Sequence, residues 1–252
     1  MRRHLRRYCE RFLRPRRFWS RPTGIYENSD RSASRRFNLL LVRLTAVGKP
    51  HVFNPILIAA VDIGSPMAGR LGWAVLPSGE TGTDIGRLVL LVSEALKRGP
   101  VALGFEAPFW IPIRSDPMTL TKARMGEGSR SWSAGAGAGA LATGLVVATH
   151  ILSALKSAAP EAIATFDYRS PPTTPGGLFL WEAFVTANAK GDSQVSDAMI
   201  AATAFMAASP DLGAAQKLAH ETSFNLLGAL LLRTGWAEDI GLMSQELLVI
   251  AG

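Results

Sequence analysis

The stretch Ile56–Val61 (ILIAAV) constrains this chain more than any other feature. A run this short, wholly apolar and rich in β-branched residues reads as a strand buried on both faces, the kind that lies at the centre of a helix-covered sheet. It stops at Asp62-Ile63-Gly64-Ser65, and Pro66 and Gly69 mark a turn. The next apolar segment, Leu71–Leu76 (LGWAVL), predicts a second strand, antiparallel to the first across that short connection.

Helical and strand patterns alternate from there on. Ile85, Leu88, Val89, Val92 and Leu96 have helical spacing within Asp84–Arg98, with Asp84 as N-cap and Gly99 as the stop. Val101–Phe105 predicts a strand that Glu106 ends and Pro108 keeps from continuing. The mixed polar stretch Arg114–Arg130 predicts a short helix near Leu120–Met125. A segment rich in Gly and Ala from Gly135 to about Ala158 becomes helical by Leu141. Its alternating Gly135, Gly137 and Gly139 are open to two readings, a phosphate nest or close packing of a small-residue helix. No Lys-Ser/Thr follows them, so they are not a P-loop, and close packing is preferred. His150 on the same apolar helix reads as a core histidine. Leu178–Trp181 predicts a strand ended by Glu182, and Val195–Ala208 predicts a helix behind an Asp192 or Ser193 cap. From Ser223 the apolar pattern fits helix and strand equally. Strands alternating with helices define an α/β class.

Charge divides the chain in two. Residues 1–50 hold thirteen Arg and one Lys against three acids, a net +11, so the remainder carries −4 of the overall +7. The predicted organisation is a basic, disordered N-terminal extension over 1–50 and one α/β domain over 51–252. A phosphate-contacting arm and a targeting peptide are competing readings of the extension, as is an upstream start. A plain extension is preferred, because no apolar signal core is present. The single cysteine, Cys9, allows no internal disulfide and no thiolate metal cluster, which points to a cytoplasmic protein. No stretch reads as about 20 uninterrupted apolar residues, so no membrane span is expected, and Leu141–Leu155 reads as a buried helix.

Three predicted strands each end in one acid: Asp62, Glu106 and Glu182. In open α/β sheets, ligand sites gather at strand ends. A single such acid is usually a turn-former, and sequence does not establish that the three strands are neighbours. A fourth acid, Asp197, lies about one turn inside the helix that begins near Ser193. The small residues Ala201, Ala204 and Ala208 share its face and would let that helix lie close to the sheet. The competing reading is an acid satisfied by the helix dipole. Clustered carboxylates repel unless a cation or a shared proton neutralises them. Their hard oxygens suit Mg²⁺ or Mn²⁺, and two such ions support phosphodiester cleavage.

The stretches AAVDIGSPMAGRLGWAVLPSG, VALGFEAPFWIP, RSDPMTLTKARMGEGSR, FLWEAFVTANAKGD and SDAMIAATAF, in this order, resemble the predicted RNase H-like nuclease family of prokaryotes. The resemblance spans roughly Ile56 to Phe205. It implies a mixed central sheet flanked by helices and metal-dependent hydrolysis of DNA or RNA. It also implies roles: Asp62 bridging the metals, Glu106 and Asp197 completing the ligand shell, and Glu182 acting as a ligand or orienting the water. Arg114, Lys122, Arg124 and Arg130 are expected to contact substrate phosphates, with a solvated basic loop as the equal alternative.

Two other functional classes stay open at this stage. Asp62-Ile63-Gly64-Ser65 resembles the first phosphate loop of actin-like ATP-binding proteins, although no Asp-x-Gly recurs after Gly64. A non-catalytic binding or regulatory module with the same fold is the other.

Overall fold

In a computed structural model of the chain, residues 53–128, 131–185 and 189–252 are described. The proposed basic extension over 1–50, with Cys9, lies outside them.

The sheet is built outward from the strand that the sequence marks most strongly. β1 (Leu57–Ile63) is buried along its whole length. β2 (Leu71–Leu76) runs antiparallel to it, as expected, and β3 (Glu80–Gly82) adds antiparallel to β2. On the other side β4 (Val101–Glu106) pairs parallel with β1, and β7 (Gly177–Phe184) pairs parallel with β4. β7 takes two short parallel partners on its far edge. β6 (Ile163–Thr165) pairs with its beginning and β9 (Val249–Ala251) with its end. The seven-stranded mixed sheet therefore has the order β3-β2-β1-β4-β7-β6, with β9 also on β7. A separate two-stranded ribbon joins β5 (Trp110–Pro112) to β8 (Ser223–Asn225).

Helices cover both faces. α1 (Ile85–Leu96) starts where Asp84 accepts the Arg87 N–H. It packs on one face with α2 (Gly135–Ala158) and α4 (Leu226–Arg233). α3 (Gln194–Ala208), capped by Ser193, lies on the other face. There an aromatic group formed by Phe53, Phe179, Trp181 and Phe205 closes the core, with the Trp181 and Phe205 rings 4.7 Å apart. Phe53 is 1% exposed, so the packed domain begins ahead of β1.

Four sequence expectations change, the first being that His150, read as a core histidine, is exposed on α2. The helical turn in the basic loop sits at Pro117–Thr119, where Asp116 caps it, instead of at Leu120–Met125. α2 is helical from Gly135, so its glycines open a helix. Gly144 supplies close packing, since a Cβ there would lie 2.6 Å from the Ala107 Cβ. β7 does not stop at Glu182 but continues two residues to Phe184, held by β9. α2 is long and apolar enough to cross a membrane by length and composition. Its Val147, Ala148, Ile151, Leu152 and Leu155 are buried in the domain core.

Candidate metal centre

Parallel pairing of β1 with β4 sets Asp62 directly beside Glu106. Residues paired across neighbouring strands point to the same face, so both carboxylates leave the sheet on the α3 side. On the other edge of β1, Asp62 is paired with Gly72 of β2. A Cβ on Gly72 would lie 2.4 Å from the backbone C of Gln194 and N of Val195. The missing side chain lets the first turn of α3 rest on β2, and that contact carries Asp197 to the strand ends. Ala198, Ala201 and Ala202 are buried against the sheet behind it, while Ala204 and Ala208 are half-buried at its margin.

The result is a compact acidic centre. Asp62, Glu106 and Asp197 each offer a carboxylate oxygen within 4.8 Å of the others. Asp62 and Asp197 are buried and Glu106 is nearly so. Glu106 Oε2 is buried without a hydrogen-bond partner among the described residues. Glu106 Oε1 accepts from the Lys190 ammonium at 3.3 Å, and the same ammonium donates to Asp197 Oδ2 at 2.8 Å. Asp197 Oδ1 accepts the Gly191 N–H at 2.6 Å.

Desolvation and neighbouring negative charge raise the proton affinity of Glu106 and Asp62. Burial, followed by the charge of Asp62, pushes the Glu106 carboxyl up to about 8, against the pull of Lys190. Burial also raises Asp62 to about 6; Lys190 lowers it and Asp197 raises it. In the absence of a metal, burial and the Asp62 charge therefore favour the protonated form of Glu106.

Glu182 lies outside this trio, although it lines the same cleft. It is paired with Phe105, one residue before Glu106, so it points to the opposite face of the sheet. There it is 1% exposed and bound on both oxygens, Oε1 by Arg124 Nη2 at 2.7 Å and Oε2 by Arg124 Nη1 at 3.0 Å. The Phe109 N–H donates to Oε2 as well, at 2.8 Å. Burial pushes its carboxyl up, and Arg124 and this amide pull it back. The two-pronged contact is that of an ion pair.

The expected phosphate-contacting residues have other partners. Arg124 is 2% exposed, binds Glu127 as well as Glu182, and stacks 4.9 Å from the Trp110 ring centroid. Arg114 pairs with Glu221 and donates to the carbonyls of Thr119, Lys122 and Ala123, which ties the basic loop together. Lys122 is exposed and free of ion pairs among the described residues, and Arg130 lies outside them. Of the three described, Lys122 is the exposed one.

No protein-family model, curated protein or solved structure matches this chain. The site must be read from its own chemistry. A cleft of about 250 Å³ opens over the acidic centre. Its walls include the small residues Ala107, Ala136, Gly137, Ala140 and Ala183. Arg70, Lys190 and Gln194 supply polar groups that the sequence reading missed. Lys190 carries a faint sequence signal, since it lies seven residues ahead of Asp197 in the loop that leads into α3.

The donor set fits a hard divalent cation. Two oxygens on opposite sides of Mg²⁺, each at about 2.1 Å, are about 4.2 Å apart. The three carboxylates lie within 4.8 Å of one another, so they would have to draw in slightly around such an ion, and Glu106 Oε2 has no hydrogen-bond partner among the described residues.

Proposed function

We propose that this protein is a divalent-metal-dependent nuclease of RNase H-like fold, acting on a small or single-stranded nucleic-acid substrate. The observation that carries this reading is the convergence of Asp62, Glu106 and Asp197, from two strands and a helix, within 4.8 Å. The mixed sheet, with antiparallel pairing on one side of β1 and parallel pairing on the other, agrees with the architecture that the resemblance implies. Asp62, Glu106 and Asp197 would hold Mg²⁺ or Mn²⁺, which when bound supplies Lewis acidity and an activated water. Three carboxylates suffice for one ion. The two-ion site expected from four acids loses its fourth carboxylate to Arg124.

The chain's own groups do the rest. Gly191 holds Asp197 in orientation through its N–H, and the Glu106 proton must leave before that carboxylate can serve as a ligand. The narrow cleft and the −4 charge of the chain beyond residue 50 disfavour a duplex laid along the surface. Arg70, exposed on the cleft wall, offers a cation to a substrate phosphate.

The deciding experiment is calorimetry with Mn²⁺ on the full chain and on Asp62→Asn, followed by hydrolysis of a single-stranded oligonucleotide in Mn²⁺. The reading expects binding and cleavage by the wild type and neither by the variant. Cleavage that persists in Asp62→Asn would refute it. A second reading, a non-catalytic binding module, is favoured by one observation: the Lys190 ammonium already contacts two of the three acids. That reading expects no Mn²⁺ binding.

A further inference from the structure

Lys190 sits where a cation would have to enter. Its ammonium is 2.8 Å from Asp197 Oδ2 and 3.3 Å from Glu106 Oε1, oxygens of two of the three carboxylates that would hold a metal. An ammonium has three donors and no lone pair, so it cannot join the ligand shell, and its positive charge beside these carboxylates opposes a second cation there. Its side chain is 35% exposed, whereas that of Asp197 is 6% exposed. Lys190 also lines the cleft, so its flexible stem has open space to turn into. The neighbouring Gly191 N–H grips the other oxygen of Asp197. Departure of the ammonium would therefore free Asp197 Oδ2 and Glu106 Oε1 without letting the Asp197 carboxylate swing away.

We propose that Lys190 is an internal counter-ion which a divalent metal must displace, and that displacement delivers its ammonium to the cleft, where it pairs with a phosphate of the substrate. This rests on the metal-binding reading above. It makes Lys190 a positioning residue with two stations, the acidic centre when metal is absent and the substrate anion when metal is bound. It also couples the two ligands. A substrate phosphate that holds Lys190 away from the acids favours metal binding, and by linkage the metal favours the substrate.

Two measurements on the full chain test it. The first is Mn²⁺ calorimetry on the wild type and on Lys190→Met, which keeps the stem and removes the charge. The variant should bind Mn²⁺ more tightly by about tenfold or more, equivalent to about 1.4 kcal/mol. The second needs no variant and stands even if Lys190→Met fails to fold. Lysine acetylation of the wild type, followed by mass spectrometry, should modify Lys190 faster once Mn²⁺ is added, with exposed Lys122 as the constant reference. Equal Mn²⁺ affinity in wild type and variant, or a Lys190 reactivity that bound Mn²⁺ leaves unchanged, would overturn the proposal while the metal centre stands. Absence of Mn²⁺ binding in both proteins would remove the metal centre itself, and the counter-ion role with it. Binding by Lys190→Met alone would support the proposal in its strongest form.

Discussion

Glu106→Gln should make the metal-free protein more stable at alkaline pH. Glu106 is shifted from its ordinary 4.5 to about 8, first by burial and then by the charge of Asp62. A carboxyl raised in this way binds its proton more tightly in the folded chain than in the unfolded one. Its contribution is complete below pH 4.5 and is lost as pH rises through 8. At 1.36 kcal/mol per pH unit, the loss amounts to about 5 kcal/mol. Glutamine has nearly the same shape, remains neutral, and can still accept from Lys190, so it avoids this loss. For a domain of this size, 1 kcal/mol corresponds to about 2–4 °C in Tm. In EDTA, moving from pH 5 to pH 9 should therefore cost the wild type about 10–20 °C more than it costs the variant. Thermal denaturation followed by circular dichroism at the two pH values gives the comparison, and titrating groups away from the acidic centre cancel in the difference. Parallel pH profiles for the two proteins would refute the argument. Addition of Mn²⁺ should narrow this difference. A cation at one hundred times its Kd stabilises by about 2.7 kcal/mol, a gain that the glutamine variant should largely forgo.

Mn²⁺ affinity should rise as pH increases from about 6 to 8, because Asp62, raised to about 6, and Glu106, raised to about 8, must lose protons to bind it. Calorimetry in buffers of different ionisation enthalpy should detect the released protons. Arg124→Met strands Glu127 and Glu182 as buried carboxylates and should cost about 3–5 kcal/mol in urea denaturation. Gly72→Ala puts a Cβ against the backbone of Gln194 and Val195. It should cost about 1–3 kcal/mol and weaken Mn²⁺ binding by moving Asp197 away from Asp62. Deleting residues 1–50 should leave folding and the Mn²⁺ response intact. If those residues contact phosphates, nucleic-acid binding by the shortened chain will show a flatter salt dependence.

Much of the α/β class was legible because the signals are local. An apolar run followed by a turn-former gave β1 and β4 with Asp62 and Glu106 at their ends, and Ser193 ahead of an Ala-rich stretch gave α3 with Asp197 in its first turn. Adjacency was not legible. It comes from the parallel pairing that sets Asp62 beside Glu106, and from Gly72, whose meaning depends on a helix more than a hundred residues further on.

Glu182 shows most clearly where sequence stops deciding. Its apolar run followed by an acid looks like the other two, so the sequence put it in the same site. β9 extends β7 past it, and the pairing with β4 sets it one residue out of step with Glu106. Side chains alternate along a strand, so a one-residue offset turns the carboxylate to the opposite face, where Arg124 binds it. The sequence by itself determined the strands β1, β2 and β4 and the helices α1 and α3, because each of these depends on near neighbours. Only the tertiary structure decided which face each acid serves and which cation it meets, because those depend on register and on contacts between distant segments.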